Sequence, residues 1–243
     1  MIIKKIVDGV KNKKILDLKY VIVEIVLIFT GITLAANYNN YQNDLQDQKF
    51  LKEVIAQIHS EISEDAKFNI RSIDIQEKKI VEYQEFIKIV KEKNITEINS
   101  DKSKEVVSDM TNYIDNSNST SGYDRLKEKN INLIKNIKLK NQLIRYYEMM
   151  NKLMRDVKLF DTDKKELKPF VFKYFKNYDY YNSSYDSFTN IDEMNKDRVF
   201  LNTINYVISY YIINIDSFKN GGIPESKKTM EALEKEYEFL KKK

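Results

Sequence analysis

The sequence predicts an all-α protein in which one N-terminal transmembrane helix continues into a long helix that packs in an antiparallel, extracytoplasmic helical bundle. Three observations lead there. Tyr20 to Ala36, YVIVEIVLIFTGITLAA, forms an apolar stretch suited to lipid. Glycine (5) and proline (2) are scarce in a chain of 243 residues, which favours long helices over a many-turned β fold. Apolar residues beyond the stretch recur at helical spacing, as in Leu51, Ile55, Ile58 and Ile62.

Residues 1–19 are read as a basic cytoplasmic leader, either an amphipathic helix lying on anionic lipid or simply an orientation signal. Residues 20–36 are the expected transmembrane helix, about 25 Å long at 1.5 Å per residue. Leu16 and Leu18 extend it inward while Lys19 snorkels to the headgroups. The main rival is a cleaved signal peptide, with Thr33-Leu34-Ala35 as a loose small-x-small site; a buried core helix is the third reading. Against cleavage stand the long basic region, Glu24 inside the apolar run, and helix-compatible sequence beyond Ala36. Lys4, Lys5, Lys11, Lys13, Lys14 and Lys19 precede the stretch, whereas Asn37 to Phe50 hold only Lys49. The positive-inside rule then keeps the N-terminus in the cytoplasm and exports residues 37–243, placing the chain in the inner membrane as a single-pass protein.

Within the stretch, Glu24, Gly31, Ala35 and Asn39 share one helix face. Gly31 and Ala35 make a small-xxx-small pair that lets two helices approach closely, and Glu24 is costly in lipid unless it pairs. The face is either a self-association surface, implying a homodimer, or a snorkelling glutamate beside an incidental glycine.

Downstream, one long helix is expected over about 37–93, its stripe drifting between Asp65 and Asn69 and ending near Lys93-Asn94. A short amphipathic helix follows over Ser103 to Asp115, with Ser100 or Asp101 as N-cap. Residues 116–122, NSNSTSG, read as a loop. Tyr123 to Lys129 form a helix, Asn130 to Asn136 a turn, and about 139–167 a long helix with Leu143, Tyr146, Tyr147, Met150, Leu153, Met154 and Val157 on its inner face. Pro169 is expected to stop it. Residues 170–188 are aromatic-rich and irregular. A helix over about 193–218 turns Phe200, Leu201, Ile204, Val207, Ile208, Tyr211 and Ile212 inward. Asn220-Gly221-Gly222 closes it, and Pro224 opens a last charged helix over about 225–240.

The segment KYVIVEIVLIFTGITLAANYNNYQND resembles the N-terminal signature of a bacterial membrane protein family of unknown function. Tyr20, Glu24, Ile25, Leu27, Gly31, Ile32, Ala35, Asn39 and Tyr41 fall on its pattern, with Tyr41 where a Trp is common. A second block also matches: Gly122-Tyr123-Asp124-Arg125-Leu126, Leu133-Ile134, then Leu139 to Tyr147. The resemblance covers residues up to about 155. It implies a single-pass inner-membrane protein with a helical extracytoplasmic part, and it brings no catalytic residues.

Composition narrows the function classes. The 41 basic and 37 acidic groups interleave to a net charge of +4, a mixed surface and not a nucleic-acid footprint. With no cysteine, disulfides, thiol catalysis and thiolate metal sites are excluded. His59 is the one histidine, which excludes multi-histidine metal sites, and it is read as a surface or boundary residue. Glu61 and Asp65, at i,i+4, are read as a solvated face, and Gly221-Gly222 lacks the lysine of a phosphate loop. No enzyme activity, cofactor or metal is therefore expected. The aromatics Phe170, Tyr174, Phe175, Tyr178, Tyr180 and Tyr181 either contact a partner or cap the bundle core. The reading is a membrane-anchored interaction or sensory module, with the lipid bilayer and a membrane or envelope protein as partners. With a short cytoplasmic side expected, any signal would pass through another membrane protein. The alternative is a structural scaffold, with an exported hydrolase more distant.

Overall fold

The computed structural model describes residues 2–112, 118–179, 182 and 184–242, and for 2–19, 161–163 and 242 it describes the backbone alone. The leader's polar and apolar faces, residues 116 and 117 of the expected loop, and Tyr180 and Tyr181 therefore lie outside the described residues. The chain divides into two compact units, Met1–Glu53 and Val54–Lys243. Among the described residues it is all-α apart from one hairpin of two-residue strands.

The first unit is formed by the N-terminal part of helix α1 (Ile2–Glu92). Its apolar side chains are open to the outside from Tyr20 to Leu34, with Phe29 71% exposed. The hydroxyls of Thr30 and Thr33 donate back to the carbonyls of Val26 and Phe29, both at 2.8 Å, so neither needs an external partner. By length and composition this is the one helix among the described residues able to cross a membrane.

The second unit has its own core. Along α1, Val54, Ile55, Ile58, Ile62, Ala66 and Ile73 are buried, and Tyr83, Phe86, Ile87 and Val90 continue the row. Asn69 is buried in the same stripe, where the sequence placed a polar residue at a core position. α1 ends as expected. Lys93 adopts a left-handed φ of 53°, and the amides of Lys93 and Asn94 bond the carbonyls of Val90 and Ile89, closing the helix in a Schellman turn. After α2 (Ile95–Ile98), Ser100 caps α3 (Asp101–Thr111) through Ser103 N–H. α4 (Ser121–Lys129) and a 3-10 turn at Ile131–Leu133 lead into α5 (Ile137–Lys164), where Asn136 accepts from the amides of Lys138 and Leu139.

Five expectations fail beyond this point. Pro169 does not stop the long helix. α5 ends at Lys164, a 3-10 turn spans Lys165–Leu167, and Pro169 sits in the first turn of α6 (Lys168–Tyr174), where no N–H is needed. Residues 170–188 are not irregular throughout: β1 (Phe175–Lys176) pairs antiparallel with β2 (Ser187–Phe188), Phe175 opposite Phe188. The helix expected over 193–218 is two, α7 (Ile191–Lys196) and α8 (Arg198–Ser217), divided at Asp197. Asp197 caps α8 by accepting from the amides of Val199 and Phe200. Ile212 points outward, and Leu201 is only partly buried. Finally, Asn220-Gly221-Gly222 does not close the helix. Phe218–Gly222 is a π-helical turn that runs on into α9 (Ile223–Glu236), with Pro224 in its first turn as expected. A Cβ on Gly222 would lie 3.0 Å from Phe218 Cδ1 and 3.4 Å from Leu153 Cδ1, so that glycine serves packing at the junction.

Candidate functional site

Glu24, Gly31, Ala35 and Asn39 are all exposed on α1, and a Cβ at Gly31 would meet nothing within 4 Å. The face is open. Among the described residues no second element lies against it.

The aromatic group behaves otherwise. Tyr174 and Phe175 are fully buried, so they are core residues and not a contact surface. Tyr174 packs its ring 5.3 Å from Phe200, Phe170 lies 5.4 Å from the same ring, and Phe175 sits 4.6 Å from Tyr185. Tyr178 is half-buried, its hydroxyl 2.7 Å from that of Thr111. The Tyr174 hydroxyl donates to Asp197, which also accepts from Lys173 at 3.0 Å. Burial pushes the Asp197 carboxyl up, but the bonds from Tyr174, Phe200 N–H and Lys173 outweigh it and hold the group near about 2.

The most concentrated chemistry lies at a charged centre that the sequence did not single out. Four helices of the second unit each supply part of it: Lys79 and Tyr83 from α1, Asp109 from α3, Lys164 from the end of α5, and Tyr211 from α8. Asp109 Oδ2 accepts from the Tyr83 hydroxyl at 2.9 Å, from Lys164 Nζ at 3.0 Å and from the Tyr211 hydroxyl at 3.3 Å. Lys79 Nζ stands 4.0 Å from Oδ1. Lys164 is 2% exposed, so its charge is held almost wholly by these partners. Burial, then the negative charge of Asp109, raises the Tyr83 phenol well above its usual range, and it stays a donor. The helical spacing of Val157, Phe160 and Lys164, all buried, placed Lys164 on the apolar face of α5. That was the available signal.

Comparison with known proteins adds no relative. No protein-family model, curated protein or solved structure matches this chain.

Asp109 also helps line an open, polar cleft of about 570 Å³, together with Lys79, Lys104, Ser108, Asn112 and Asn182. Among the described residues no group of three or more His, Cys, Asp or Glu side chains is arranged to hold a metal ion.

A second polar group joins α1 to the start of α4. Glu61 accepts from the Ser121 hydroxyl at 2.6 Å and from Gly122 N–H at 3.1 Å, and Asp65 accepts from Ser119 N–H at 3.2 Å. These carboxylates were expected to face solvent; instead Glu61 takes a first-turn amide that α4 leaves unsatisfied, and Asp65 holds Ser119 in the segment leading into that helix. His59, half-buried, lies 2.8 Å from Glu234 of α9, a boundary position as expected. Burial raises Asp65 to about 6, opposed by Ser119 N–H and helped by the charges of Glu61 and Glu64. A carboxyl raised above its unfolded value of 3.8 binds its proton more tightly when folded, so its contribution is greatest below about pH 4 and is lost as pH rises through 6. At pH 7.5 the ionised Asp65 is then a net cost. Asp65→Asn is expected to raise the melting temperature there by about 2–4 °C, for about 1 kcal/mol after allowing for partial exposure. The gain should vanish by pH 4.5 in thermal melts; a lower melting temperature at pH 7.5 sinks the assignment.

Proposed function

We propose that the chain is a single-pass inner-membrane protein whose second unit lies outside the cytoplasm and binds a membrane or envelope protein partner. It works by binding and not by catalysis, and it acts as an interaction or sensory module.

The observation that carries this reading is the exposure of the apolar side chains from Tyr20 to Leu34 on a helix whose threonine hydroxyls are satisfied internally. So large an apolar surface is costly in water and favourable in hydrocarbon. The lysines before the stretch support an N-terminus held in the cytoplasm. The resemblance of Tyr20 to Tyr41 to a family of single-pass membrane proteins supports the same arrangement. The second unit carries a separate core, which supports a folded domain held at the membrane surface, its helices packed as an antiparallel bundle. The open face of Glu24, Gly31, Ala35 and Asn39 is the proposed contact with a partner helix inside the bilayer.

Two fractionations test the arrangement. After alkaline carbonate extraction the chain is expected to remain with the membrane, and release into the supernatant removes the anchor. In intact spheroplasts, external protease is expected to digest the second unit. Full protection of that unit reverses the proposed orientation.

A further inference from the structure

We infer that the outward face of α8 is a self-recognition surface on which a second copy of this chain docks antiparallel, with Tyr206 at the two-fold axis. This contact lies in the second unit and is independent of the membrane face.

In a chain with 32% charged residues, α8 carries only two charges, Arg198 at its start and Asp216 near its end. Between them the helix presents Val199 (66% exposed), Tyr206 (51%) and Ile213 (62%) to the outside. These residues are spaced by seven, so they form one row with a drift of about 20° per step. Glu166 borders Val199 and Tyr206 at one edge of the row, but α8 itself is depleted of charge, and exposed tyrosine and aliphatic groups are the composition of an interface centre.

The order of the groups selects the occupant. The row is symmetric about Tyr206, with Val199 seven residues before it and Ile213 seven after. A two-fold contact requires such self-complementarity, because each residue meets its mirror position on the partner copy. Pairing about Tyr206 sets Val199 against Ile213 of the second copy. Arg198 and Asp216 centre on position 207, within about 1.5 Å of the same axis at one residue of rise. At 100° per residue both fall on the same flank of the row, so each Arg198 meets the second copy's Asp216.

The two charges also sit at the wrong ends of their own helix. The N-terminus of a helix is the positive pole and the C-terminus the negative one, so Arg198 and Asp216 each oppose the local dipole. Asp197 caps the first end, and one oxygen of Asp216 accepts from Asn220 at 2.6 Å, but Arg198 has no ion partner among the described residues. An antiparallel second copy neutralises both. A lipid surface would favour basic edges, which Asp216 spoils, and so a second copy fits this face better.

The absence of native cysteine makes the register directly measurable in the full chain in detergent or nanodiscs. Under mild oxidation Tyr206→Cys is expected to form a disulfide-linked dimer. A mixture of Val199→Cys and Ile213→Cys chains should cross-link, while Val199→Cys alone should not, its two copies standing about 21 Å apart. Cross-linking at Gly31→Cys without any at Tyr206→Cys places the pairing in the membrane helix and overturns the inference, as does a monomer throughout. Arg198→Asp should weaken dimerisation about tenfold, since two exposed pairs turn repulsive, and adding Asp216→Arg should restore it. Both substitutions suit the helix dipole, so the melting temperature at high dilution should hold. Failure of the double variant to restore pairing also overturns the charge register.

Discussion

Replacing Lys164 with methionine is expected to destabilise the second unit by about 2–3 kcal/mol, below the range for a fully buried pair, because it removes the nearest counter-charge of a largely buried Asp109 and leaves it Lys79 at 4.0 Å. For a unit of this size the melting temperature should fall by on the order of 10 °C. The volume change is small and the methionine stem follows the path of the lysine, so a cavity does not account for the loss. Tyr83 and Tyr211 still donate to Asp109, yet two neutral donors do not replace the cation 3.0 Å away. Adding Asp109→Asn to Lys164→Met removes the stranded charge and keeps an acceptor for Tyr83, so the double variant should regain more than half of the loss. Thermal melts of the four chains form a double-mutant cycle. A single-variant loss under about 1 kcal/mol, or a double variant as unstable as the sum, would show that the pair does not act as a unit.

That centre illustrates where the sequence speaks and where it falls silent. Ile55, Ile58 and Ile62 are apolar at helical spacing, and they are buried because the same periodicity governs both pattern and packing. Lys164 occupies an apolar position by spacing but is charged, so the pattern alone reads it as a break in the stripe. Only the arrival of Asp109, fifty-five positions away in sequence, makes its burial affordable. The same non-local dependence explains Glu61 and Asp65: Glu61 is met by Gln57 of its own helix but also by Ser121 and Gly122 of α4, and Asp65 by Ser119 just before α4.

Other features are locally ambiguous. Proline removes an N–H, which ends a helix in its interior and is harmless in a first turn. Nothing near Pro169 says which applies, because the 3-10 turn before it is itself helical. The aromatic density of residues 170–188 is equally what a core and an interface require, and Tyr174 and Phe175 are core because Phe200 and Tyr185 arrive to cover them. Asp197 was legible in principle. An aspartate followed by an apolar helical run is an N-cap signature, but the run of helical spacing across it hid the break. The shared face of Glu24 and Gly31 follows from spacing along a single helix, which needs no partner to define it.

A methyl group at Gly122 tests the clasp between α1 and α4. Gly122→Ala is expected to cost about 2–3 kcal/mol, the upper range for overpacking a tight contact, and to lower the melting temperature by roughly 4–12 °C. The new Cβ would lie 2.9 Å from Ile58 Cγ1 and 3.2 Å from the Ile58 backbone nitrogen. Neither atom is the free end of a flexible side chain, and Ile58 is fully buried in the α1 stripe. Relief therefore requires α4 to move away from α1. That movement lengthens the bonds from Gly122 N–H to Glu61 at 3.1 Å and from Ser119 N–H to Asp65 at 3.2 Å, and it disturbs the stacking of Tyr123 on Tyr147 at 4.1 Å. The loss should then appear first as faster amide exchange in α4, with α5 and α9 protected until global unfolding. Ile58→Val in the Gly122→Ala background leaves Cγ1 in place as a branch methyl and should recover little, since the backbone nitrogen still blocks the Cβ. A neutral Gly122→Ala would mean that α4 can slide on α1 at no cost, and that the Glu61 and Asp65 contacts do not fix its position.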